Sequence, residues 1–169
     1  VRDHSLQVDT DRMKKASEFL KNSLEQIQNC LSKEQLRGYE GEAASVYFSM
    51  FDQMILQQKK EFFFQGRNKR PPMDNVNALL SFIYTLLTNN IVSALECVGL
   101  DPYVGYLHTD RPGRASLALD LIEEFRAVLA DRFVLSLINK KIVSGKGFAK
   151  KENGAVLMNE ELRKKVLTE

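Results

Sequence analysis

Cysteine is scarce in this chain: Cys30 and Cys97 are the two in 169 residues. Two thiols, one on each of two expected helices and in no metal motif, point to reduced, packed side chains of a cytoplasmic protein and away from a disulfide framework. Net charge is nearly absent too. A formal charge of +2 and a pI near 8.5 give no reason by themselves to assume a polyanionic partner. No internal repeat is visible. No apolar run is uninterrupted either, because residues 76–99 carry Asn77, Ser81, Thr85, Asn89, Asn90 and Glu96, which predicts a buried core helix and not a membrane span. What is present, 44% hydrophobic and 27% charged residues, excludes disorder and sets the expectation of one compact domain over 1–169. The first residue, Val1, and the uncapped amphipathic stretch at 160–169 read as a fragment of a longer protein.

Apolar periodicity predicts mostly helix. Met13, Ala16, Leu20, Leu24, Ile27 and Leu31 recur at three- and four-residue steps over 10–31, with Asp9 or Thr10 as cap. Ser32 and Gln35 form a capping box opening a second helix to about residue 60, whose inner face is Leu36, Tyr39, Ala43, Tyr47, Met50 and Met54. Pro71 and Pro72 force a loop over 61–73 with a basic tip, Arg67, Lys69 and Arg70. Asp74 caps a third, most apolar helix ending at Gly99. Past the Pro112-Gly113 break, a fourth helix spans 116–140 with Leu117, Leu121, Phe125, Val128, Leu129 and Ile138 on its buried face. Asn153-Gly154 centres a hairpin over 148–158, and Asn159 caps a final helix. The predicted class is all-α: a bundle of four long helices plus a small β-hairpin and a C-terminal helix.

One constellation suggests chemistry. His108 lies on the loop before the fourth helix, and Asp120 and Glu123, three apart, share a helical face that can approach it. One nitrogen and two oxygen donors suit magnesium or manganese, which would make phosphoryl transfer the natural reaction class. The competing reading is a histidine bonded to backbone and two carboxylates at a solvated helix start. A further acidic ligand could be Glu40 or Glu42, which point about 200° apart on a helix, so that one alone can face a site. Gly41 beside Glu40 would admit close approach of another backbone, which favours Glu40. Asn77, Ser81 and Thr85 form a polar stripe that either bonds between helices or lines the site, and Tyr39, Tyr47 and Tyr84 read as core residues. The basic clusters, which include Arg111 with Arg114, Lys140-Lys141, Lys146 and Lys150-Lys151, read one by one as solvated surface.

Three blocks together carry a resemblance. Leu36-Arg-Gly-Tyr-Glu-Gly-Glu-Ala-Ala-Ser-Val-Tyr-Phe48, then Asn77-Ala-Leu-Leu-Ser-Phe-Ile-Tyr84, then Leu107-His-Thr-Asp-Arg-Pro-Gly-Arg-Ala-Ser-Leu-Ala-Leu-Asp-Leu-Ile-Glu-Glu-Phe-Arg126 resemble, in this order, the universal CRISPR-associated spacer integrase. The wording Leu107 to Arg114 is similar to its type I-C branch. The resemblance implies a Mg2+ or Mn2+ ion held by Glu40, His108 and the second acidic position of the helix, Glu123, with Asp120 as supporting neighbour. It implies attack of a protospacer 3′-hydroxyl on a repeat phosphodiester, hence double-stranded DNA as substrate, with a small ferredoxin-like adaptation protein as partner and a homodimer in the full-length family. Arg37, Arg111 and Arg114 are then the first candidates for DNA contact, and Arg67, Lys69 and Arg70 the second. The family's N-terminal β-domain and the segment beyond the hairpin are not in these 169 residues. Two other readings stand beside this one: a general metal-dependent nuclease on the same ligands, and a non-catalytic helical interaction module.

Overall fold

The computed structural model describes residues 8–109 and 111–169. In chain order it has α1 (Thr10–Gln28), α2 (Lys33–Ser49), the short α3 (Phe51–Met54), α4 (Asn75–Cys97), α5 (Ser116–Phe125), a π-helical turn (Arg126–Asp131), α6 (Arg132–Asn139), a 3-10 turn (Gly145–Gly147), the antiparallel strands β1 (Phe148–Lys150) and β2 (Val156–Met158), and α7 (Glu160–Leu167). The all-α expectation holds, and the hairpin lies where Asn153-Gly154 predicts it, with Phe148 opposite Met158 and Lys150 opposite Val156. Helix starts follow their caps. Asp9, Ser32, Asp74 and Asn159 each accept a hydrogen bond from the amide three residues on, which satisfies a donor the helix cannot. Gln35 reaches back to the amide of Leu31, 2.9 Å away, completing the predicted box. Gly99, at φ +78, ends α4 in the left-handed conformation that glycine adopts at low cost.

Two expected helices are broken, each for a physical reason. The second does not run to residue 60. Beyond Ser49 the chain is drawn onto the end of α6: Asn139 accepts from the amides of Leu56 and Gln57 and donates to the Met54 carbonyl, and Gln58, in a left-handed conformation, donates to the carbonyls of Ile138 and Val143. These long-range bonds, with Ile55 fully buried, outcompete local helix propensity. The fourth helix is interrupted by the π-helical turn, and most of its expected buried face is not buried. Leu121, Phe125, Val128 and Leu129 are exposed, while Ala118, Ile122, Ala130, Val134, Leu137 and Ile138 pack inward. The wider π turn shifts the phase of the apolar stripe. The first helix also stops earlier than expected, and Leu24 and Leu31 are exposed. Cys97, expected to pack, is exposed on the last turn of α4.

The core sits on α4. Val76, Leu79, Leu80 and Ile83 pack with Phe51, Ile55, Phe62, Phe64, the α6 residues Val134, Leu137 and Ile138, and the hairpin with α7. Farther along, Ile91 and Leu95 meet Ala118 and Ile122 of α5 in a second cluster, and Tyr84 and Leu87 pack against both. Alone among the described helices, α4 is long and apolar enough to cross a membrane by length and composition. Its inward residues are those of the core, as the polar interruptions predict.

Candidate active site

The loop over residues 98–109 is fixed to α5 at two points. The Pro102 carbonyl accepts from the amides of Leu117 and Ala118 at the start of α5. From the second turn of α5, Asp120 reaches back to the loop: Oδ2 accepts from the amides of Tyr106 and Leu107, at 2.6 and 3.0 Å, and Oδ1 from the amide of His108 at 2.8 Å. The same Oδ1 lies 2.8 Å from His108 Nδ1. Burial opposes ionisation of Asp120, but the amides of His108, Leu107 and Tyr106 and the imidazole outweigh it and hold its carboxyl below the usual carboxylate range. An ionised carboxylate can only accept, so Nδ1 carries a proton, and in the neutral tautomer this selects, Nε2 is the nitrogen with the lone pair. Arg37 of α2 braces the loop from the other side, donating from Nε to the Leu107 carbonyl at 2.8 Å and from Nη2 to the same oxygen.

Glu123 lies one turn on from Asp120. Burial pushes its carboxyl above the ordinary range; the Arg126 guanidinium, paired with it at 2.8 Å, pulls the other way, the nearby charge of Glu40 raises it further, and His108 and Lys69 lower it. Glu40, His108 and Glu123, brought from α2, the loop and α5, thus share one electrostatic neighbourhood. They do not yet close on one point: among the described residues, no three His, Cys, Asp or Glu side chains form a ready cluster for an ion. Glu123 is engaged with Arg126. The donors themselves fit a hard divalent cation. An imidazole whose Nδ1 is held by a carboxylate, and a Glu123 carboxyl whose ionisation burial and the charge of Glu40 oppose, are what a divalent charge would relieve.

A groove of about 520 Å³ opens at Glu40, lined also by Phe48, Gln65, Arg67, Lys69 and the Arg126 that pairs with Glu123. Lys69 stands at its exposed rim. Burial against the wall lowers its affinity for a proton, as do Arg67 and Arg126, against the opposing pull of Glu123 and Glu40. The Arg126 guanidinium lies 5.9 Å over the Phe48 ring.

The other expected residues fall into place unevenly. Glu40 is half-buried and faces the groove while Glu42 is exposed, but the reason given by Gly41 fails: a Cβ there would meet nothing within 4 Å, so no backbone approaches. Gly38 is equally open. Arg37 is spent on the Leu107 carbonyl. Arg111 is exposed and Arg114 half-buried, in the turn that follows His108, and Arg70 is exposed at the loop tip. Of the polar stripe, Asn77 accepts from Arg67 at 2.7 Å, Ser81 accepts from it at 3.1 Å, and Thr85 turns back to its own helix. Sequence reasoning does not single out Arg126 or Asp131. The three-residue step from Glu123 to Arg126 is the available signal for the first; the buried placement of Asp131 depends on the π turn and has no signature in the sequence.

The chain is similar to known proteins in sequence and in fold. The family model described as CRISPR associated protein Cas1 matches residues 2–169. The chain is 50% identical over 168 residues to CRISPR-associated endonuclease Cas1 1 of Chlorobaculum tepidum, covering 99% of this chain and 49% of that protein. Among solved structures, it is similar to a casposase bound to integration product (TM-score 0.80, 28% identity, 93% of this chain and 47% of that one). It is also similar to a chain of a partial Cas6-RT-Cas1–Cas2 complex (TM-score 0.83, 25% identity, 96% of this chain and 49% of that one). The chain spans about half the length of the curated relatives it matches.

Proposed function

Since the chain belongs to the CRISPR associated protein Cas1 family, we propose that it is the helical catalytic domain of a divalent-metal-dependent DNA endonuclease and integrase that inserts protospacer DNA into a CRISPR array. The observation that carries this reading is the electrostatic influence of Glu40 and His108 on Glu123, with Glu40 lining a groove walled by Arg67, Lys69 and Arg126. His108 Nε2, Glu40 and Glu123 would hold Mg2+ or Mn2+. When bound, the ion supplies Lewis-acid polarisation of a phosphodiester oxygen and a lowered pKa for an attacking 3′-hydroxyl. Asp120 is not a ligand in this reading. Its oxygens are occupied by three amides and the imidazole, and it sets the direction in which His108 points. Arg126 balances Glu123, and with Lys69 and Arg67 it neutralises phosphates of double-stranded DNA entering the groove. Arg111, Arg114 and Arg70 lie at exposed or half-exposed loop positions where flanking DNA can reach them. The type I-C assignment, the small ferredoxin-like partner, the homodimer and the cytoplasmic location belong to the same reading; a structural neighbour that includes Cas2 supports the partner.

The test supplies the full-length protein with a 3′-hydroxyl DNA donor and a repeat-containing plasmid in Mn2+. Joined product that disappears in His108→Ala and Glu40→Ala is expected. Cleavage without joining would leave a general nuclease, and a folded sample with no saturable Mn2+ binding would leave a helical interaction module.

A further inference from the structure

Among the described residues, two buried side-chain atoms have no hydrogen-bond partner: Arg67 Nε and Asp131 Oδ2. They belong to groups that meet at one tyrosine. Tyr84 donates its hydroxyl to Asp131 Oδ1, and its ring lies beneath the Arg67 guanidinium, 5.2 Å from ring centre to Cζ. Arg67 is held from other sides as well. Its Nη1 donates to Asn77 Oδ1 and to the Asn68 carbonyl, both at 2.7 Å, and its Nη2 to Ser81. Asn77 is in turn fixed by Asp74, the cap of α4.

Asp131 is fully buried and ends the π-helical turn that Arg126 begins. In an α-helix these two residues, five apart, would diverge by about 140°. A π turn bonds each residue to the fifth along and brings them together. The charges of Arg126 and Arg67 both act on the Asp131 carboxylate. Burial raises its carboxyl above the usual range, while the hydroxyls of Tyr84 and Tyr47 and the charges of Arg126 and Arg67 restrain that rise. Burial, reinforced by Asp131, raises both tyrosines, so each hydroxyl keeps its proton and can donate. Three cations crowd this wall, and left alone they would push one another toward solvent.

We propose that Asp131 is a positioning residue for the groove: it holds Tyr84 by the hydroxyl, and the Tyr84 ring carries the Arg67 guanidinium in the orientation that receives a phosphodiester. The proposal rests on the reading of the groove as a DNA-binding surface. The expected effect has a sign. A buried carboxylate acting only as bulk negative charge would weaken DNA binding, and its removal would strengthen it; a carboxylate that positions an arginine does the reverse.

The test is a mutant cycle in the full-length protein, reading the dissociation constant for a short duplex by fluorescence anisotropy over a salt series, with thermal melting alongside. Asp131→Asn and Arg67→Gln are each expected to weaken binding about fivefold, the equivalent of one net hydrogen bond. The double variant should bind no worse than the weaker single, because both changes act through one guanidinium. If Asp131→Asn weakens binding by its full factor in the Arg67→Gln background, or tightens it in the wild type, the proposal is overturned and the groove reading stands. If Arg67→Gln leaves affinity and salt slope unchanged, the groove reading fails and the proposal with it. Should Asp131→Asn not fold, Tyr84→Phe, which removes one hydroxyl and keeps the ring, goes through the same cycle, and the same results support or overturn the proposal.

Discussion

An imidazole on a loop has no inherent direction, and Asp120 gives His108 one. Substituting Asp120→Asn keeps the shape but replaces one acceptor oxygen with a donor that must face an amide or the imidazole. Manganese affinity measured by titration calorimetry should fall about 10–100-fold, as for other residues that orient a metal-binding histidine, whereas Glu123→Gln should abolish saturable binding. Equal affinity in Asp120→Asn and wild type would refute the orienting role. The pH dependence has a fixed sign. Because the Asp120 carboxyl is held below its ordinary value, its stabilisation of the loop is complete above the unfolded carboxylate value near 3.9 and is lost as pH falls through the lower, folded one. The amide NMR signals of Tyr106, Leu107 and His108 should therefore titrate together below about pH 3.9; independent titrations would dissociate them from Asp120. At this scale the sequence is largely legible. Spacing alone leaves Glu40 beside Glu42 and Asp120 beside Glu123 as candidates, the resemblance points to Glu40, His108 and Glu123, and the glycine that favours Glu40 meets nothing. Arg37 reads in the sequence as a DNA contact and in the structure is engaged in a strut.

Elements are legible where local chemistry decides and illegible where distant chemistry does. Caps at Ser32, Asp74 and Asn159 and the hairpin turn at Asn153-Gly154 lie in the sequence because each is settled within a few residues. The end of α2 is settled by Asn139, more than eighty residues away. The π-helical turn is hidden because Leu117, Leu121, Phe125 and Val128 satisfy an α-helical period equally well. It has a testable consequence. Deleting exposed Val128 would let the segment revert to an α-helix, rotating Glu123 and Arg126 by about 100° relative to Asp131. Circular dichroism should show helix content retained while manganese and DNA binding are both lost. Retention of either binding would mean that the turn does not set the site.

Across the whole molecule, two apolar clusters are threaded on α4, and the site lies between the elements they anchor. Leu79 is fully buried in the larger cluster, and Leu79→Ala should cost about 2–5 kcal/mol in chemical unfolding. Leu95 sits in the smaller one, which holds α5 and through it the His108 loop. For Leu95→Ala the expected signature is local: faster amide exchange over residues 98–125 than over 130–143. Uniform acceleration across both segments would show that the clusters unfold as a unit. The apolar run at 76–99 discloses that α4 is the core helix. It does not disclose that the core has two parts, since both draw on that one continuous run.

Tyr84 and Leu87, each half-buried, pack against both clusters. One half of the molecule therefore cannot twist against the other without parting contacts at that seam. Tyr84 also donates to Asp131 and underlies the Arg67 guanidinium, so a disturbance at that one turn of α4 reaches the groove wall and the α5 cluster together.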